Sequence, residues 1–238
     1  MSEILDGQKA HIVKLLKEKS AMKHDVFNNT VATFELIKTC LNDISQGLVK
    51  ETEHIDKNIP LEVSETKRFS IQLKIAGDIL EFLMHTNVFE FERTHPMFRT
   101  GYIKQNEYNS FCGIINVYNF LSDSFKYNRL NDLGSLICRI FVNREMKFFI
   151  EARGPIGIKY SSFSFEPINK EQLTEIINEL IIYAITFDLF APPYEFVKEV
   201  TVNEILEQVV SMNLRTGKRL GFETSKGPTN EDDTNLYI

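Results

Sequence analysis

Near residue 67 the chain changes its hydrophobic period, and that change limits the folds open to it more than any motif does. Upstream, Phe27, Val31, Phe34, Ile37, Leu41, Ile44 and Leu48 recur at steps of three and four, which is one continuous helical stripe. Ile12, Val13, Leu15 and Leu16 begin a similar stripe, so a helical region is predicted over residues 1–50. Asn28, Asn29 and Thr30 cap helices well and sit poorly inside them, so the segment KHDVFNNT predicts either a helical hairpin or one long bent helix. The polar stretch ETEHIDKNIPLEVSET, with Pro60, reads as a connecting loop and as the best domain boundary.

From Phe69 onward the period is two. Phe69, Ile71, Leu73 and Ile75 alternate with Ser70, Gln72 and Lys74, as in a half-buried strand. Ala76-Gly77-Asp78 turns the chain, and Leu80, Phe82 and Met84 form the next inward row of a hairpin. LICRIFV and MKFFIEA, joined by Asn143-Arg144-Glu145, predict a second hairpin, and IGIKYSSFSF after Arg153-Gly154-Pro155 reads as a further strand. Residues 97–135 do not choose between strand and helix. The profile of 19 Phe, 8 Tyr and no Trp suits a substantial sheet.

Helical spacing returns at the end. Asn169 with Gln172 resembles a capping box, followed by the stripe Leu173, Ile176, Ile177, Leu180, Ala184 and Phe187, with Pro192-Pro193 as the stop. Thr201 and Glu204 form a second capping box ahead of Ile205, Leu206, Val209 and Val210. Strands in the middle and helices at both ends predict an α+β fold: an antiparallel sheet of about five strands flanked by N-terminal and C-terminal helices. The domain organisation expected is a helical region at 1–50, an α+β domain at 67–222 and a disordered polar tail at 225–238.

One short stretch invites a metal reading. MHTNVFEFERTHP carries His85, Glu90 and His95. His85 extends the polar row of its strand, while Phe89 and Phe91 put the next apolar row on odd positions. That phase slip near Thr86–Val88 implies a bulge, bend or break. His95 lies beyond it, before Pro96. The three side chains share no regular face, and no HExxH or His-x-His spacing occurs, so no metal is expected. Cys40, Cys112 and Cys138 are widely spaced without CxxC, which predicts reduced, buried thiols in a cytoplasmic protein.

No GxxxxGK[ST], GxGxxG or GxSxG occurs, so no cofactor is expected and no catalytic residues are assigned. The formal net charge of −6 gives no basic field for nucleic acid, which is therefore not favoured as a partner. No apolar run reaches membrane-span length, and no membrane association is expected. Three segments remain as binding candidates. In the loop after residue 125, Lys126 and Arg129 suit an anion or an acidic partner, with Asn128, Asn131 and Asp132 as hydrogen-bonding neighbours. Arg215, Lys218 and Arg219 form a small basic segment suited to an anion contact. Phe190, Tyr194 and Phe196 surround the double proline as candidate interaction aromatics. The function expected is a non-catalytic accessory or interaction protein that binds a protein partner or forms a homo-oligomer. An enzyme or small anionic-ligand domain, and a nucleic-acid-associated subunit, stand as alternatives.

Overall fold

The computed structural model describes residues 2–52, 59–130, 132–188, 191 and 193–206. It has the α+β architecture, with more strands among these described residues than the sequence suggests: seven, all antiparallel, in one sheet. The strands are β1 (Leu61–Lys67), β2 (Ser70–Ile75), β3 (Asp78–Met84), β4 (Phe89–Glu90), β5 (Phe111–Leu121), β6 (Ser135–Asn143) and β7 (Phe148–Ala152). They pair in the order β1-β2-β3-β5-β6-β7, and β4 also pairs with β5. Both predicted hairpins, β2–β3 and β6–β7, are present, and the ambiguous GIINVYNFL is strand β5.

The N-terminal helical region is no hairpin. Helix α1 (Ser2–Leu15) runs through a π turn (Leu16–Ser20) into α2 (Ala21–Thr52). The expected interruption at Asn28–Thr30 is overridden by tertiary contacts. The Asn29 amide donates to the carbonyls of Asn143 and Arg144, at 3.2 and 2.8 Å. The Thr30 hydroxyl donates back to Val26 O at 2.7 Å and lies against Gly113, where a Cβ would sit 1.9 Å from it.

Helices α2 and α6 (Lys170–Thr186) cover one face of the sheet. Phe34, Ile37 and Leu41 from α2 and Leu173, Ile176, Ile177 and Leu180 from α6 close over Leu73, Leu80, Phe82, Ile115, Val117 and Ile140. The Asn169–Gln172 capping box is fully formed. Phe187, assigned to the buried stripe, is instead 42% exposed, because α6 stops at Thr186.

The opposite face carries its own smaller core, and this explains the phase slip. β3 pairs with β5 so that Met84 faces Ile115, whereas β4 resumes with Phe89 opposite Cys112. Four residues on one strand thus span two on the other. The pleat keeps its parity, so Phe89 and Phe91 point to the face opposite Phe82 and Met84. There Phe91 meets the stacked pair Phe141–Phe149, whose rings lie 4.6 Å apart, under Met97 and Ile103. Ile103 belongs to helix α3 (Gly101–Gln105).

Two further expectations are corrected. The supposed loop before residue 67 contains β1, an edge strand whose Leu61 and Val63 pair with Ile75 and Leu73. Its charged residues, Glu62, Glu65 and Lys67, hide the period while guarding the open edge. The supposed strand IGIKYSSFSF starts with helix α5 (Pro155–Lys159), since Gly154 turns at φ +80° and Pro155 suits a first helical position. The segment still shields the β7 edge, through Ile150 N–H to Tyr160 O and Ser164 N–H to Phe148 O, both 2.8 Å.

Candidate functional site

The feature that the body of the fold does not absorb is the start of the long helix. Met22 and Val26 are its first buried side chains, packed with Phe111, and Lys19 and Lys23 lie over that ring at 5.3 and 5.8 Å. Everything described before them is exposed, including Leu5 (59%), Ile12 (56%), Leu15 (43%) and Leu16 (58%). At 1.5 Å per residue this makes an arm roughly 25 Å long. Leu5, Gln8, Ile12, Leu15, Lys19, Met22 and Val26 follow an alternating three-four spacing, the seam of a coiled coil. In an unbroken helix that seam would run straight into the buried row. The π turn, closed by Ala21 N–H to Leu16 O, adds a residue and rotates the arm by about 100° relative to that row. The apolar stripe of the arm is thereby turned away from the face that α2 packs on the body.

The Lys126–Asp132 loop splits into two parts. It follows the short helix α4 (Ser122–Lys126) and turns through Asn128 at φ +51°. Arg129 is drawn inward, its side chain 8% exposed, with Nε 2.8 Å from Asp132 Oδ2. The Ser124 hydroxyl donates to the same oxygen at 2.6 Å. These contacts hold the loop in shape. Lys126 is exposed, 4.9 Å from the Tyr127 ring, and hydrogen bonding to Tyr127 raises its pKa. Asn131 lies outside the described residues.

Of the aromatic candidates, Tyr194 and Phe196 stand on the one-turn helix α7 (Tyr194–Val197), 74% and 79% exposed. Phe190 lies outside the described residues, as do Arg215, Lys218 and Arg219. Thr201 and Glu204 form their capping box, with Glu204 N–H to Thr201 Oγ1 at 3.2 Å. His85, Glu90 and His95 each have local work. His85 Nδ1 accepts the Asn87 N–H, His95 Nδ1 accepts the Met97 N–H, and Glu90 pairs with Arg93 at 3.4 Å. Among the described residues no three His, Cys, Asp or Glu side chains converge as metal ligands. Burial raises the pKa of all three thiols, that of Cys138 to about 12, which makes each a poor nucleophile at neutral pH.

Sequence reasoning missed a cavity of about 880 Å³ at the end of the sheet where β2 turns into β3. Asp78, Asn119, Lys74 and Lys126 line it, and the last turn of α6 and the residues after it, Ile185, Phe187 and Asp188, complete the wall. The available signal was Asn119: it stands in the inward row of β5 (Ile115, Val117, Asn119), where an apolar residue is expected. Asp78 does the same at the start of β3. Comparison of the chain with protein-family models, curated proteins and solved structures finds no match. Among the described residues no helix is long and apolar enough to cross a membrane.

Proposed function

We propose that this protein is a non-catalytic interaction protein that self-associates through its N-terminal helical arm. The observation that carries this reading is the exposed heptad stripe Leu5, Ile12 and Leu15, with Leu16 beside it, on a helix that leaves the body at a π turn. A short helix in water is marginal unless its apolar face is covered. The arm of a second copy is the occupant we assign, because its seam repeats the same spacing. Gln8 at a core position and Lys9 beside the seam are the kind of polar residues that set register and partner number in such pairs. The exposed aromatics Tyr194 and Phe196 supply a second, separate surface for a protein partner.

Sedimentation equilibrium on the full chain tests the reading. A species near twice 27.6 kDa is expected at concentrations of about 10–100 μM. Ile12→Asp/Leu15→Asp is expected to return it to monomer without lowering the melting temperature, since neither side chain is buried in the body. A wild-type chain that stays monomeric up to about 100 μM removes the proposal.

A further inference from the structure

The chain carries a second exposed helical stripe, at its other end. Thr201 opens a helix over residues 202–206: the Glu204 N–H reaches Thr201 Oγ1 at 3.2 Å, and the Ile205 N–H reaches Thr201 O at 3.1 Å. Val202, Ile205 and Leu206 are 76%, 45% and 55% exposed, so the single chain leaves the apolar side of this helix open. In the sequence the same spacing continues through Val209 and Val210, which lie outside the described residues. The capping box fixes where such a helix starts. Its stability in water depends on a surface that covers the apolar side.

The N-terminal arm offers a surface of that kind. Beside the seam of Leu5, Ile12 and Leu15, the exposed Val13 and Leu16 widen the apolar stripe on one side. Counted from Ile12 around the helix, they lie at about 100° and 40°, and Leu15 lies on the other side at about −60°. A two-stranded coiled coil uses only the narrow seam, whereas a wider stripe is that of a helix packed in a bundle. Pairing two arms along the seam therefore leaves the flank of Val13 and Leu16 uncovered, with Lys9 and Lys17 beside it. Charge selects what covers that flank. Residues 9–20 carry Lys9, Lys14, Lys17 and Lys19 against Glu18. Residues 195–207 carry Glu195, Glu199, Glu204 and Glu207 against Lys198, which Glu195 holds at 2.7 Å. We propose that the helix opened by Thr201 in one copy packs on the arm of a second copy, so that the interface is a bundle of two arms and two C-terminal helices. The second copy supplies the occupant because within one chain both stripes stand exposed together. This inference rests on self-association through the arm and names what covers the outer flank of that arm.

Disulfide trapping in the full chain tests the proposal, since the native Cys40, Cys112 and Cys138 are buried and leave added surface thiols to report. Val13→Cys and Leu206→Cys are made in separate chains, mixed and oxidised. A linked product near twice 27.6 kDa that contains one of each is expected, at a yield well above that of either variant oxidised alone. In sedimentation equilibrium, Val202→Ser/Leu206→Ser is expected to weaken the dimer about tenfold. Raising salt from about 0.05 to about 0.5 M is expected to weaken the wild-type dimer more than that variant, because the opposed charges then act across the interface. A wild-type dimer that the serine variant leaves unchanged, with no mixed disulfide, overturns the proposal and leaves the arm pair standing. A chain carrying both cysteines that closes the bond within itself, with no mixed product, puts the helix on its own arm and overturns the proposal as well. A wild-type chain that stays monomeric removes the arm pair and this proposal with it.

Discussion

At the scale of single residues, Asp78 and Asn119 show how little a polar side chain announces itself in sequence. Asp78 reads as an ordinary turn residue after Gly77, and only its place in the pleat, two residues before Leu80, shows that it points inward. A period-two count over β5 flags Asn119, provided the segment is first known to be a strand. The Lys126 loop was legible as a concentration of charge but not in its division of labour. Nothing in the spacing of Arg129 and Asp132 says that they bond to each other rather than to a ligand. Burial raises the folded-state pKa of Asp78 above its unfolded value. A carboxyl of that kind opposes folding when ionised: the stability associated with its protonated form is present below the unfolded pKa and is lost as pH rises through the folded pKa. Asp78→Asn is therefore expected to raise the melting temperature at pH 7, with the gain shrinking to nothing below about pH 3.5, under the ordinary carboxylate range. Thermal melts of both proteins across that range check the sign, and a destabilised variant at neutral pH contradicts it.

At the scale of elements, the sequence spoke clearly where one face of an element is buried and the other is wet. Helices α2 and α6 and strands β2 and β3 have such faces, and their apolar residues reveal them, whereas β6 and β7 are buried on both faces and show as continuous apolar runs around the Asn143-Arg144-Glu145 turn. The misreadings fall where that contrast fails. β1 is an open edge, held by backbone pairing with β2 and by few apolar side chains. The residues after Gly154 are apolar enough for a strand, but Pro155 and the close approach of Gly157 to Ala152 bend them into a turn of helix. β4 was legible as the shifted apolar row of Phe89 and Phe91 but was not counted as a strand of its own, because that row serves the second face. The crossing of α2 over β5 depends on a single missing methyl group at Gly113. Gly113→Ala would push a Cβ into the Thr30 side chain. A loss of about 1–3 kcal/mol is expected, read as a lower denaturation midpoint in urea. An unchanged midpoint would mean that α2 can move off the sheet without cost.

At the scale of the whole molecule, the α+β class and the placement of helices at both ends were legible because periodicity survives without knowledge of contacts. The arm was legible as a helix but not as an exposed one. Its seam has the same spacing as the buried row that follows it, and only the π turn separates the two. β5 ties the body together: it pairs with β3, β4 and β6, its inward residues Ile115 and Val117 belong to the larger core, and its outward Cys112 belongs to the smaller one. Opening either face therefore strips β5 of partners needed by the other. In native-state hydrogen exchange, the amides of Ile115 and Val117 on one side and of Phe141 and Phe149 on the other should share one opening free energy, equal to that of global unfolding. If the Phe141 and Phe149 amides exchange at a distinctly lower free energy, the two cores are separate units. If all four exchange together, one strand sets the slowest clock in the protein.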